Sequence, residues 1–437
     1  MWQRKFWNNS SVTILLIITT TLLLQPEKEY TFHVLLQEIL GISYRIVYAR
    51  SEVHTLKLPN GSELEIKDGF NTIDLFAGRE HKIQFSQNWN PETFDPFAAS
   101  FFILARLEEV AEPNLNGYDG PENRDAHGRF PAEKSIAWQQ GFLNRPIVNE
   151  WADMLWDALL QLGWQGERKQ RKFQISLSCD VDHPRLWWSI FDRAKTLAGA
   201  IFKRGDFHEA SYWLKNHVFS KKDPYDVFDE WFDLFEKSNQ VVQFNFMGQR
   251  PRSSDCWYPI QHPFIKNLMT KIAARGHKIG FHPSYEAFDN SDIFNKELSS
   301  LQDISPLEIT SGRQHYLRFK APNTWNMWEN AGLKEDCTLG YPEAEGFRCG
   351  ICHDFPVFDT MQRKMLNLRE QPLIAMDVTL AQYRHYTPEQ AYEHLVGLRN
   401  EVEKHGGDFT LLWHNSSWNA PLWEAWKEVL EAIILHK

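Results

Sequence analysis

Cysteine is scarce and odd in number: Cys179, Cys256, Cys337, Cys349 and Cys352 are all that 437 residues contain. So sparse a set excludes a disulfide-stapled scaffold and fits reduced thiols in a cytosolic compartment. Long runs of one charge are absent too, which excludes an acidic tail and a polybasic membrane patch. With 47 Lys and Arg against 57 Asp and Glu, the net charge of −10 excludes a nucleic-acid partner that would need a basic stripe. No apolar run suffices for a stable membrane span. Residues 12–24 (VTILLIITTTLLL) come nearest, but they are too short to cross a bilayer and no small-x-small cleavage site follows them. Their β-branched content predicts a buried strand; the alternative is export or membrane anchoring through the same residues. Gly-x-Ser-x-Gly, the Walker loop and Gly-x-Gly-x-x-Gly are missing as well. Those absences remove serine hydrolases with a nucleophile elbow, P-loop enzymes and dinucleotide binders of the fingerprint type.

Aromatic residues, by contrast, are abundant: 18 Trp, 30 Phe and 13 Tyr, or 14% of the chain. Flat rings suit sugar clefts, although the same rings fill cores. From 30 to 41 the apolar residues Phe32, Leu35, Leu36, Ile39 and Leu40 recur at helical spacing and stop at Gly41. A strand over Tyr44–Tyr48 follows, then a hairpin turning at Pro59-Asn60-Gly61. Helices are predicted from about 96 to 109 and from about 148 to 162, separated by a loop-like stretch from 113 to 130 that is dense in Pro, Gly, Asn and Asp. His127, Arg129 and Phe130 lie at its end without a motif that ties them to chemistry. The polar segment 163–171 sets the boundary, giving an N-terminal α/β accessory domain over 1–165 and a catalytic domain over 170–437.

Beyond that boundary strands and helices alternate. Strands are predicted at Phe173–Ser178, Val241–Phe246, His277–Phe281, Tyr316–Phe319, Cys337–Gly340, Leu373–Val378 and Phe409–Trp413. Helices are predicted at about 226–237, 263–275 and 293–301, and one starts at Thr387-Pro388-Glu389-Gln390, a capping-box sequence. The alternation predicts an α/β domain with a parallel sheet, open or closed into a barrel, whose chemistry sits at the C-terminal strand ends. Three strands end in polar clusters: Asp180-Val181-Asp182-His183, His282-Pro283-Ser284-Tyr285-Glu286 and His414-Asn415-Ser416-Ser417. Two carboxylates two residues apart on an extended chain point the same way, which suits one metal ligand and one base. A lone Asp or His at a strand end caps a helix more often than it catalyses, but three converging ends point to a site.

The order Asp-x-Asp, Gly-Phe-His-Pro-Ser after a strand, a Pro-containing aromatic segment and a final Leu-Trp-His resembles the polysaccharide deacetylase (NodB-homology, carbohydrate esterase) family over about 172–437. The segments GRQHYLRFKAPNTWNMWENAGL and DCTLGYPEAEGFRCGICHDFP look like a bacterial branch of it with an extra N-terminal domain. The resemblance implies a distorted (β/α) barrel, a divalent metal, commonly zinc, and a carbohydrate substrate from which an acyl group, N-acetyl above all, is hydrolysed. It implies Asp180 as general base, Asp182 and His282 as metal ligands, and His414 as general acid. The family's second metal histidine falls on Glu286, an oxygen ligand, with His315 as the other candidate third ligand. Lys320 stands where the family has an arginine that orients the base, so Arg313 or Arg318 is expected to take that task. Trp418 is expected to wall the acyl pocket, stack on a sugar, or pack in the core. Two further readings accompany this one: a carbohydrate-binding or scaffold protein without hydrolysis, and a glycoside hydrolase pairing Asp180 or Asp182 with Glu286.

Cys349-Gly350-Ile351-Cys352-His353 matches the haem-attachment pattern, but it lies deep inside an α/β domain and is read as incidental thiols, ahead of a zinc or redox role. Asn415-Ser416-Ser417 fits a glycosylation acceptor but overlaps the expected active site.

Overall fold

The computed structural model describes residues 15–73, 75, 85, 89–110, 124–219, 222–248, 255 and 258–435. Cys256, residues 12–14 of the apolar run and part of the 113–130 loop lie outside them. The chain forms two compact units. One comprises Met1–Asp74, Glu80–Phe102 and Ile147–Gln170; the other comprises Leu75–Arg79, Ile103–Pro146 and Arg171–Lys437. The division therefore differs from a single cut near 165: residues 103–146 pack with the second unit, where the buried guanidiniums of Arg106 and Arg348 share the Glu109 carboxylate.

The first unit has a four-stranded sheet in the order β2-β1-β3-β4, built from β1 (Leu16–Thr20), β2 (Tyr44–Tyr48), β3 (Val53–Lys57) and β4 (Glu63–Lys67). The β-branched run does form a strand there: Leu16, Ile18 and Thr20 are buried in alternation. β1 pairs in parallel with β2 and antiparallel with β3. Gly61 takes a φ of 88° at the tip of the β3–β4 hairpin, where its N–H donates to the Leu58 carbonyl. The helix Gln25–Phe32 runs on as a π-helical stretch His33–Leu40 and stops at Gly41, as the apolar spacing implies. The helix Ile147–Gln161 buries Trp151, Leu155 and Leu159.

The second unit has a mixed nine-stranded sheet in the order β10-β11-β9-β8-β7-β6-β5-β13-β12. Its strands are β5 (Gln174–Asp180), β6 (Gln243–Phe246), β7 (Lys278–Phe281), β8 (Ser311–Gly312), β9 (Glu335–Asp336), β10 (Phe355–Asp359), β11 (Lys364–Glu370), β12 (Ala375–Met376) and β13 (Asp408–Leu412). All neighbours are parallel except β10, which returns antiparallel on β11. Between β11 and β12 the chain lies against both sides of the run: Leu373 N–H donates to Leu339 O and Ile374 N–H to Thr410 O. Helices fall where expected at Phe228–Lys237, Pro263–Ala274 and Ser291–Gln302, and Thr387 with Gln390 closes its capping box. Residues 316–319 are not a strand. The sheet contact is made earlier, by Ser311–Gly312, and the chain then leaves it in a tight turn with Tyr316 at φ 60° and Leu317 at φ 53°. The β10–β11 hairpin replaces an expected strand at 337–340 with one at Glu335–Asp336 paired to β11.

Candidate metal-centred active site

Parallel strands deliver their last residues to one end of the sheet. Asp180 closes β5, His282 follows β7, Arg313 follows β8, Asp377 follows β12 and His414 comes two residues after β13. Asp180, His282 and His414 border one cavity of about 550 Å³, lined also by Asp182 and His315, while Arg313 and Asp377 stand behind its wall. Glycine helps at the centre of the sheet: a Cβ on Gly280 would stand 2.0 Å from the Asn245 amide oxygen, so only glycine leaves that side chain its place. Asn245 uses the space to donate to Asp180 Oδ1 at 2.7 Å.

Asp182, His282 and His315 present ligand atoms that all lie within 4.8 Å of one another. His282 Nδ1 sits 2.6 Å from the Arg313 carbonyl, which fixes it as the N–H and leaves the Nε2 lone pair aimed inward. Nε2 is 3.3 Å from Asp182 Oδ1, an ion-pair contact whose direction does not make a hydrogen bond, and both atoms are buried with no hydrogen bond among the described residues. His315 is tied in the same manner, with Nδ1 3.1 Å from Asp255 Oδ1 and Nε2 3.7 Å from Asp182 Oδ1. A buried carboxylate oxygen and a buried imidazole nitrogen left unpaired are costly unless something binds them. Two imidazoles and a carboxylate, each histidine held by an outer acceptor, are the donor set of a catalytic zinc site. The residues fit a divalent metal.

Two dyads flank this group. Arg313, fully buried, donates to Asp180 Oδ1 at 3.0 Å, to Ser178 Oγ at 2.9 Å and to the Cys337 carbonyl at 2.9 Å. Burial alone would raise the Asp180 pKa, but the Arg313 charge holds it below the usual carboxylate range. Asp180 Oδ2 lies 3.9 Å from His282 Nε2. On the other dyad, Asp377 accepts from His414 through both the backbone N–H at 2.9 Å and Nδ1 at 2.8 Å. Burial would depress this imidazole, but Asp377 dominates and pushes its pKa up to about 9. His414 Nε2 is 3.9 Å from Asp182 Oδ2.

Other expected residues stand elsewhere. Glu286 is exposed, because the chain after Tyr285 enters the short 3₁₀ turn Ala287–Asp289 rather than a helical turn that would aim it inward. His315 takes its place in the cluster, and a carboxylate pair of Asp180 or Asp182 with Glu286 is not formed in the cavity. Lys320 points to Asp289 at 2.9 Å. Arg318 is held between the rings of Tyr285 and Phe288, 3.9 and 3.7 Å from their centroids, so Arg313 alone of the three cations reaches Asp180. Trp418 is fully buried, bonded to Glu230 at 2.9 Å and packed on Trp231; it is core, not cavity wall. Cys349, Cys352 and His353 are buried and belong to neither of the groups that could hold a metal among the described residues.

Asp255, Asp377, Asn245 and Arg129 carry no motif. Arg129 donates to the Tyr316 carbonyl at 3.0 Å and is itself held by Asp125 at 2.6 Å, while Arg318 donates to the His127 carbonyl at 2.9 Å. Residues 125–129 thus brace the left-handed turn that carries His315. Asp377 was findable as an acid ending a strand; the others act only through residues far away in sequence.

Residues 15–163 match a family of unknown function, DUF7033. No curated protein matches the chain. Among solved structures, the chain is similar to a protein from Mycobacterium smegmatis assigned as a polysaccharide deacetylase, at 14% identity and a TM-score of 0.39 over 62% of this chain and 85% of that one. It is also similar to a protein so assigned from Pseudomonas aeruginosa PAO1, at 11% identity and TM-score 0.38 over 60% of this chain and 84% of that one. A CE4 family pseudoenzyme from Bacillus anthracis is similar at 8% identity and TM-score 0.32, over 61% of this chain and 60% of that one. At these scores the likenesses decide no activity, and the site stands on its own geometry.

Proposed function

We propose that this protein is a metal-dependent hydrolase that removes an acyl group, N-acetyl in the first instance, from a carbohydrate. The reading includes a distorted (β/α) barrel over 170–437, joined by residues 103–146, as the catalytic part and the remaining N-terminal unit as an accessory. The observation that carries it is the trio Asp182, His282 and His315, in which Asp182 Oδ1 and His282 Nε2 are buried without a hydrogen bond among the described residues, set beside two dyads of opposite protonation.

Asp182, His282 and His315 would hold the ion, zinc in this reading, which when bound acidifies water and polarises a carbonyl. Asp180 is kept ionised by Arg313, and with Oδ1 occupied by Arg313 and Asn245 its Oδ2 is the oxygen left to accept the proton of the attacking water. His414 holds a proton at neutral pH and donates it from Nε2 to the departing nitrogen or oxygen. Asp377 fixes the imidazole orientation by holding Nδ1. Leu317, Met376, Val378 and Leu412 form an apolar wall suited to a small acyl methyl and exclude water beside the reacting carbonyl. Tyr316 and Tyr383, 41% and 44% exposed on the cavity lining, offer ring faces to a sugar.

The test is acetate release from N-acetylated and O-acetylated oligosaccharides by protein stripped of metal and then reconstituted with zinc. Release that returns with zinc in the wild type and not in Asp182→Ala supports the reading. Release that is indifferent to metal, or absent on every acetylated sugar with metal bound, sinks it.

A further inference from the structure

The long connection between β5 and β6 carries a surface that the cavity does not use. Its first helix, Ile190–Ala198, begins at a capping box in which the Ser189 hydroxyl and the Asp192 carboxylate satisfy each other's backbone N–H groups. Gly199 stays right-handed, so the helix runs on through the π-helical turns Gly199–Arg204 and ends where Gly205 takes a φ of 66°. The Ile190–Ala198 helix contains no buried residue. Phe191, Ala194, Ala198 and Phe202 recur at i, i+3, i+7 and i+11, the spacing of one helical face, and all four are exposed. A second helical stretch, Phe207–Trp213 continued by Leu214–Val218, buries Ala210, Trp213 and His217. It leaves Phe207 at 72% and, just past its end, Phe219 at 76% exposure. With Ile190 at 74%, Phe191 at 80% and Phe202 at 86%, these are the five most exposed large hydrophobic side chains among the described residues.

Single exposed apolar residues need no explanation, but five such side chains gathered in one helical hairpin do. Charge says what would cover them. Residues 190–219 carry Arg193, Lys195, Lys203, Arg204 and Lys215 against Asp192, Asp206 and Glu209, and Asp192 is spent on the cap. Arg204 is held by Glu209, while Lys195 and Lys203 remain on the surface. This cationic stretch belongs to a chain of net charge −10. A helix with an exposed Phe-bearing face and Lys and Arg beside it, whose only buried residue is Ala200, has the form of an element that lies in a lipid interface. Cations at that level draw it to anionic headgroups, which would otherwise repel the protein. A symmetric contact with a second copy would set the same cations against one another.

We propose that the hairpin 190–219 docks this protein onto an anionic lipid surface, with Phe191 and Phe202 entering the interface and Lys195 and Lys203 meeting the headgroups. No run of one sign announces it in the sequence; it emerges only when the helical face is drawn. The experiment is co-sedimentation of the full chain with phosphatidylcholine vesicles, with and without phosphatidylglycerol. The wild type is expected to partition onto phosphatidylglycerol-containing vesicles and to be released by salt. Phe191→Ser and Phe202→Ser should each weaken partition by about tenfold or more, the worth of burying one such ring. Lys195→Glu combined with Lys203→Glu should abolish the preference for phosphatidylglycerol. Both positions are exposed, so melting behaviour and metal content should be unchanged, which separates lost docking from lost folding. Wild-type protein that stays in solution, or binds equally well after both Phe substitutions, overturns the proposal. So does a concentration-dependent dimer that the Phe variants dissolve, which would assign the face to a second copy instead.

Discussion

The two compact units each gather histidine and aspartate side chains close enough to hold a metal, one His with two Asp in the first and two His with one Asp in the second, and the two groups differ in what surrounds them. In the first unit, His54, Asp68 and Asp95 are 0%, 4% and 6% exposed, and their polar atoms are spoken for. His54 bonds Thr20 at 2.9 Å and Asp95 at 3.1 Å; Asp95 also accepts from the N–H groups of Gly69 and Phe97. The Lys28 ammonium, itself fully buried, stands 2.5 Å from Asp68 and supplies the cation. In the second unit, among the described residues, Asp182 Oδ1 and His282 Nε2 have no hydrogen-bond partner and no lysine enters the group, and the side chains open on a cavity. Residue type alone does not tell a metal centre from a buried ionic knot. What separates them is whether the donor atoms are already satisfied and whether a cation is already built in.

The largest effect expected from that difference is catalytic. Asp180→Ala and His414→Ala should each lower kcat by about 10²–10⁴ while metal content stays at the wild-type level. Equal losses of metal would move both residues into the ligand set. The mirror-image variant in the first unit is Asp68→Ala, which strands the Lys28 ammonium in the core. It should cost about 3–5 kcal/mol of stability in urea unfolding and leave metal content and acetate release per folded molecule unchanged. Smaller is the effect of loosening an outer acceptor: Asp255→Asn should weaken metal binding about 10–100-fold by freeing His315, measured by chelator competition.

The pH profile sharpens the assignment of the acid. His414 must be protonated to donate, so activity falls as pH rises through its pKa. Asp377 is what raises that pKa toward about 9. In Asp377→Asn the basic limb of kcat should therefore move to lower pH, and an unmoved limb would take the proton-donor role from His414. The smallest effect belongs to Glu286→Gln, which should change neither metal content nor rate, because the carboxylate is exposed and outside the cluster.

Much of the second unit's site could be read in advance because each part joined a strand to a polar ending. Asp180, Asp182, His282 and His414 all follow runs of β-type residues, and they do arrive at one cavity. His315 stood as a candidate without a motif to rank it above Glu286. The choice turned on a 3₁₀ turn at Ala287–Asp289 and a left-handed Tyr316, neither of which spacing can reveal. Asp255 escaped because its role is to hold another side chain, a relation that exists only in three dimensions, whereas Asp377 was legible as an acid in the strand predicted at 373–378. Trp418 had three readings, and burial beside Trp231 and Glu230 selects the core. The insertion of 103–146 into the second unit was invisible for a related reason: the Arg106–Glu109–Arg348 knot joins residues more than two hundred positions apart.

The most direct measurement is elemental analysis of the purified wild type beside His282→Ala and His54→Ala. The account predicts close to one transition metal ion per chain in the wild type, its loss in His282→Ala and its retention in folded His54→Ala. A metal-free wild type after reconstitution with zinc, or an ion that survives His282→Ala and leaves with His54→Ala, would contradict it.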